Sequence, residues 1–195
     1  MKRAIILLSS LLILVSLGYF AINSFKPKTK LQGTALQNPI DIANVKLTNI
    51  NLGEISLAKF KGKTLLVFFG FSKCYDVCPI TLQRLAKIYK DISEPANLQI
   101  IMITVDPAND TVKSVQEYVN KFHPSFLGFS GTNSEIAQAA KTFFVGYQDL
   151  GDTQFSHTDA IYVIDPNSKI RRIYGQPDLR YLENDLLSIL KNNSY

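Results

Sequence analysis

The sequence predicts an α/β domain, a central mixed sheet flanked by helices, behind an N-terminal apolar helix. Three observations predict it. "TLLVFFGF" (64–71) and "LQIIMITV" (98–105) are unbroken apolar, β-rich runs, the mark of strands buried on both faces. Each is followed by a stretch whose apolar residues recur at helical spacing. Ahead of both, Ala4 to Ile22 is a 19-residue stretch without a charge.

That first segment is long enough to cross a bilayer as a helix, and Lys2 and Arg3 precede it. Two readings stay open. Residues 1–25 are an uncleaved membrane anchor, which the span length favours. Alternatively they are a cleaved signal, with Ala4–Val15 as apolar core and Ser16 and Gly18 as small residues at a cleavage site. Either one exports the rest of the chain, so the domain is expected outside the cytoplasm, single-pass at the inner membrane on its periplasmic side. Lys26, Lys28 and Lys30 leave the flanking charge nearly even.

The polar, aperiodic stretch 26–44 reads as a tether, and 45–195 as the folded domain. "VKLTNI" and "EISLAKF" are two short strands around Asn51 and Gly53. After the first buried run, "PITLQRLAKIYKDI" puts Leu82, Leu85, Ile88, Tyr89 and Ile92 on one helical stripe. After the second, "DTVKSVQEYVNKF" does the same with Val112, Val115, Tyr118, Val119 and Phe122, with Asp110 as its N-cap. "SFLGFSG" is a short strand, and "SEIAQAAKTFF" a helix opened by Ser134 and Glu135. "AIYVID", the turn "PNSK" and "IRRIYG" make a hairpin, and "DLRYLENDLLSIL" closes the chain as a helix. This order resembles a thioredoxin-like domain.

Charge excludes one class of function. Five of the 21 basic residues lie in the first thirty, where there is no Asp or Glu, leaving 16 basic against 16 acidic. A nucleic-acid binder needs a concentrated basic face, and this domain has no such excess.

The chemistry gathers in "GFSKCYDVCP" (70–79), which holds both cysteines. Two cysteines make no disulfide framework, and 46% hydrophobic residues with 12 Phe and 9 Tyr supply a core without staples. Pro79 suits the first helical position, so Cys78 is expected at the N-cap and Cys74 in the loop before it. A helix N-terminus favours the thiolate. Gly70 allows a close turn after the strand. The pair can form a redox couple or supply two metal ligands. Among other donors, Met102 lies mid-strand and reads as core. His123 ends a helix before a proline and reads as a helix-end or surface residue. His157, in "GDTQFSHTDA", is a polar-loop residue ahead of a buried strand, open between ligand and ordinary loop histidine. Soft thiolates with one imidazole suit copper, zinc or iron–sulfur, and three donors fall short of the four that structural zinc takes. A peroxidatic cysteine needs an arginine beside it, and the nearest basic residues, Lys73 and Arg84, are not so arranged.

"GK" (62–63), "FFGFSKCYDVCP" (68–79), "VDPANDT" (105–111), "YVNKF" (118–122), "FSG" (129–131) and "HTDAIYVIDP" (157–166) resemble, in order and spacing, the SCO/SenC family. The resemblance runs from Val45 to Leu190. It implies a membrane-anchored, thioredoxin-like metallochaperone that delivers copper to the binuclear copper centre of cytochrome c oxidase, with copper held by Cys74, Cys78 and His157. The implied cofactor is Cu(I) or Cu(II), and the implied partners are oxidase subunit II or a copper donor, met by a monomer. Asp76 matches an acidic residue that stands near the copper, and reads equally as a loop cap. The alternative function is a thiol–disulfide oxidoreductase using the Cys74/Cys78 couple. Tyr75 replaces the family's usual proline, and Ser156 the Asp that usually precedes the histidine.

Overall fold

In a computed structural model, residues 30–151, 154–193 and 195 are described, together with Ser16. The anchor or signal reading of residues 1–25 therefore lies outside the described residues, Ser16 apart. Among the described residues no helix is long and apolar enough to cross a membrane.

Ten strands are described: β1 (Thr34–Asp41), β2 (Lys46–Asn49), β3 (Gly53–Ser56), β4 (Thr64–Gly70), β5 (Leu98–Thr104), β6 (Leu127–Phe129), β7 (Tyr147–Gly151), β8 (Gln154–His157), β9 (Ala160–Ile164) and β10 (Lys169–Gly175). Four helices go with them: α1 (Val77–Asp91), α2 (Val112–Asn120), α3 (Asn133–Phe143) and α4 (Leu182–Asn192). The main sheet runs β1-β10-β9-β4-β5-β6. β4, β5 and β6 are parallel, while β9, β10 and β1 join antiparallel, so the sheet is mixed as the element order predicts.

The apolar runs behave as their composition requires. Every residue of β4 and β9 is buried. Because side chains alternate along a strand, complete burial means that both faces of the sheet are covered. Phe69 faces one side, against Phe143 of α3 (ring centroids 5.2 Å apart) and Tyr162 of β9. Phe68 and Gly70 face the other, where the cysteines lie.

Several elements differ from the sequence reading. Thr34–Asp41, within the stretch read as tether, is an edge strand paired with β10, with a register shift between Ala35 and Ile40. Its exposure and Pro39 hide it, and proline is tolerated at a sheet edge. Leu31–Gly33 are fastened to the body as well. The Gln32 amide donates to Asp185 (2.6 Å), and Arg172 donates to the Leu31 and Gly33 carbonyls (3.3 and 2.7 Å).

Asp110 does not cap α2; Thr111 does, accepting from the Ser114 amide. α3 is capped by Thr132, whose capping box is closed by Glu135, rather than opened by Ser134. The stretch around His157, read as a loop, is the hairpin β7–β8. All five residues of β7 are exposed, so no apolar alternation announces it.

Candidate metal centre

β4 ends at Gly70, and the chain crosses 71–76 to enter α1 at Val77. Cys78 is thus the second helical residue, not the N-cap, and Pro79 the third. The first four amides of a helix lack intrahelical partners, so proline fits anywhere in that turn. Asp76 takes the N-cap position, but its side chain makes no capping bond, which disposes of the loop-cap reading.

Gly70 also differs from expectation. Its φ is not positive, so no turn demands glycine there. A Cβ would instead stand 3.0 Å from Cys78 Sγ and 2.8 Å from Phe68 Cε1. Gly70 makes room for a sulfur.

The loop is fixed by Asp110, which is 1% exposed. It accepts from the Ser72 amide (2.9 Å), the Ser72 hydroxyl and Thr104 Oγ1 at the end of β5 (2.6 Å). The residue two before Cys74 is thereby tied to the neighbouring strand.

Both cysteines are free thiols, Cys78 buried and Cys74 half-buried. The Cys78 amide donates to Cys74 Sγ (3.5 Å), an orphan helix-end donor turned on a sulfur. Cys78 Sγ lies 3.7 Å from His157 Nε2. On the other side of the ring, Nδ1 donates to the Thr158 carbonyl (3.2 Å), since a carbonyl only accepts. Nε2 therefore faces the sulfurs, as a lone pair whenever the ring is neutral.

The hairpin is held so that His157 keeps this pose. Thr158 donates its amide to the Gly146 carbonyl (2.9 Å) and accepts the Gly146 amide on Oγ1 (3.0 Å). Phe155 packs on Phe71 with ring centroids 5.5 Å apart. The imidazole meets Phe68 and Phe71 edge-to-face at 6.0 and 6.1 Å.

The two thiols are unequal. Cys74 is pulled down to about 4, first by the Cys78 thiol donating to it, then, against a burial cost, by His157 and the amides of Cys78 and Asp76. Cys78 is pushed up, first because it is the donor in that same bond, then by burial. Burial pulls His157 down, but its bonds to Cys74 and the Thr158 carbonyl and the charge of Asp159 outweigh it, and the net shift is upward.

Beside these groups opens a cleft of about 270 Å³, with Phe71, Cys74, Tyr75, Asp76, His157 and Asp159 on its walls. Tyr75 is 78% exposed at its rim. Among the described residues no three Cys, His, Asp or Glu side chains are closed around one point. Cys78 nevertheless meets both other expected donors, His157 through its sulfur and Cys74 through its amide, and Cys74 and His157 share the cleft wall. A thiolate and an imidazole sharing one ion, with bonds of about 2.3 and 2.0 Å at a trigonal angle, lie about 3.7 Å apart. The Cys78–His157 pair stands at that spacing. The other two donors are elsewhere. Met102 is core, and His123 is buried against Tyr89 and Phe126, bonded to Ser125 and 3.4 Å from Glu94. Asp110, expected as a helix cap, instead anchors the cysteine loop, and Asp159 was not singled out from the sequence; "HTDA" places it two residues after the histidine and could have shown it.

A mixed α/β sheet with a dithiol and an imidazole at the end of its central strands defines a thioredoxin-like domain equipped for soft-metal or disulfide chemistry. More narrowly, the chain belongs to the SCO1/SenC family, whose family model matches residues 37–186. It is 34% identical over 127 residues to the human protein SCO2 homolog, mitochondrial, covering 61% of this chain and 48% of that one. The chain spans about half the length of the mammalian relatives it matches. Apo Sco1 from Thermus thermophilus shares the fold at TM-score 0.71 and 31% identity, covering 87% of this chain and all of that one. Arabidopsis thaliana ScoI, solved with copper bound, shares it at TM-score 0.70 and 29% identity, covering 79% and 97%.

Proposed function

We propose that this chain is a copper metallochaperone of cytochrome c oxidase assembly. It binds copper through Cys74, Cys78 and His157 and passes it to the binuclear copper centre of oxidase subunit II by ligand exchange. The observation that carries this reading is Cys78 Sγ 3.7 Å from His157 Nε2, with Cys74 bonded to Cys78 alongside. The copper-bound relative supports the choice of metal. In this reading residues 1–25 hold the domain on the periplasmic face of the inner membrane, where a monomer meets a copper donor and the oxidase.

The unequal thiols support a second activity on the same groups. Cys74, half-buried and lowered to about 4, attacks a partner disulfide and displaces one partner thiolate, which takes a proton. Cys78 then loses its proton and attacks the Cys74 sulfur, releasing the second partner thiol and leaving a Cys74–Cys78 disulfide. The partner gains two electrons, and an external dithiol must reset the pair.

Copper titration and reduction of a disulfide substrate, run on full-length wild type, Cys74→Ser and His157→Ala, separate the two. His157→Ala is expected to lose at least about tenfold in copper affinity and keep its reductase activity. Cys74→Ser is expected to lose both. Unchanged copper affinity in His157→Ala sinks the site as drawn, and full reductase activity in Cys74→Ser sinks the second reading.

A further inference from the structure

The cleft holds one polar atom that the three donors do not account for. Asp159 Oδ1 is buried and, among the described residues, has no hydrogen-bond partner. Its other oxygen accepts from the Gln176 side-chain amide, which holds the carboxylate in place at the turn after β10. Asp159 shares the cleft wall with Cys74 and His157, yet joins no three-residue ligand group. A carboxylate oxygen kept from water without a donor is unfavourable unless positive charge compensates it.

We propose that Asp159 sets the oxidation-state preference of the site, favouring the doubly charged copper ion over the singly charged one through charge rather than coordination. The inference rests on the copper reading above. Two thiolates and a neutral imidazole carry a charge of −2, which Cu(II) neutralises and Cu(I) leaves at −1. A fixed negative charge nearby opposes the anionic Cu(I) site more than the neutral Cu(II) site. At an effective dielectric of about 20, a unit charge within about 10 Å changes that balance about tenfold or more. Asp76 faces the same cleft but is exposed, where water and salt screen it.

The test measures Cu(I) and Cu(II) dissociation constants by competition on full-length wild type, Asp159→Asn and Asp159→Glu, with the thiolate-to-copper absorption band recorded for each. Asp159→Asn is expected to keep the band and to lose about tenfold in Cu(II) affinity relative to Cu(I). Asp159→Glu is expected to hold the wild-type ratio within about threefold. A ratio in Asp159→Asn within twofold of wild type overturns the proposal while copper binding stands. So does a shift in Asp159→Glu as large as in Asp159→Asn, which makes shape, not charge, the cause. A wild type that binds neither ion overturns both this proposal and the reading beneath it.

Discussion

Replacing Gly70 by alanine tests whether the strand was shaped around a sulfur. The new Cβ would lie 2.8 Å from Phe68 Cε1, 3.0 Å from Cys78 Sγ and 3.2 Å from Met102 Cε. All three residues are at most 1% exposed, so none can swing into solvent. Ordinary contact lies at about 3.5–4.0 Å, so the sulfur must retreat by about half an ångström or more. Overpacking of this kind costs about 1–3 kcal/mol. Gly70 lacks a positive φ, so alanine adds no backbone strain and recovers about 0.4–1 kcal/mol by restricting the unfolded chain. The net expectation is a loss of about 1–2 kcal/mol in urea unfolding of the reduced, metal-free protein. Displacement of Cys78 Sγ also spoils its 3.7 Å spacing from His157 Nε2. Binding sites tolerate about 0.5 Å of misplacement, so copper affinity should fall about tenfold. A stability change below about 0.5 kcal/mol with unchanged copper affinity would refute the reasoning, because the crowding would then have been absorbed without moving the sulfur.

Alkylation of the reduced protein, followed by mass spectrometry, should modify Cys74 at a rate nearly independent of pH from 6 to 8.5 and falling only below about 5, since its thiol is lowered to about 4. A thiol lowered in this way stabilises the fold above its unfolded value, and the contribution fades as pH falls toward 4. In Cys78→Ala the largest cause of the lowering is gone, and the labelling profile should move toward the ordinary thiol range; an unmoved profile contradicts the thiol–thiolate bond. Asp110→Ala leaves the Ser72 amide, the Ser72 hydroxyl and Thr104 Oγ1 without their acceptor. Half-buried Ser72 can turn to water, so the cost falls mainly on the buried Thr104 hydroxyl; with a buried donor worth about 1–3 kcal/mol when stranded, urea unfolding should show a loss of that size, and a loss below about 0.5 kcal/mol would mean that the loop is held otherwise.

The elements that announced themselves are those whose burial leaves a pattern in the sequence. β4, β5 and β9 read as unbroken apolar runs because both faces of each are covered, and α1 and α2 show their stripe because one face of each is not. β1 and the β7–β8 hairpin escaped for the opposite reason. Their stability comes from main-chain pairing and a few contacts such as Phe155 on Phe71, so their side chains carry little periodic signal. Cys74 and Cys78 could be named as candidate donors because few residue types bind soft metals and this chain has few of them, whereas His157 stood out only through the resemblance of its segment to the SCO/SenC family. What orients them was hidden. Asp110 looked like a helix cap because Asp before an apolar run usually is one, whereas its bonds run to Ser72 and Thr104. Gly70 looked like a turn residue because only the folded chain brings Cys78 against it.

The inequality of the two thiols links the proposed uses of the site. A symmetric, fully buried pair would hold a metal firmly but offer an incoming partner no first point of attack. Here Cys74 is half-buried on a loop and lowered, while Cys78 is sealed beneath it and raised. The proton missing from Cys74 is accounted for at Cys78, whose thiol donates to the Cys74 sulfur. Binding a cation therefore displaces one thiol proton from the pair, that of Cys78, and departure of the cation restores it. The same proton leaves when Cys78 closes on an oxidised Cys74. In the proposed uses, ligand exchange and disulfide exchange thus begin at the same half-buried sulfur and turn on the same buried proton. The pose of His157, held by Thr158 and the edges of Phe68 and Phe71, is what the metal-binding use requires beyond the two thiols.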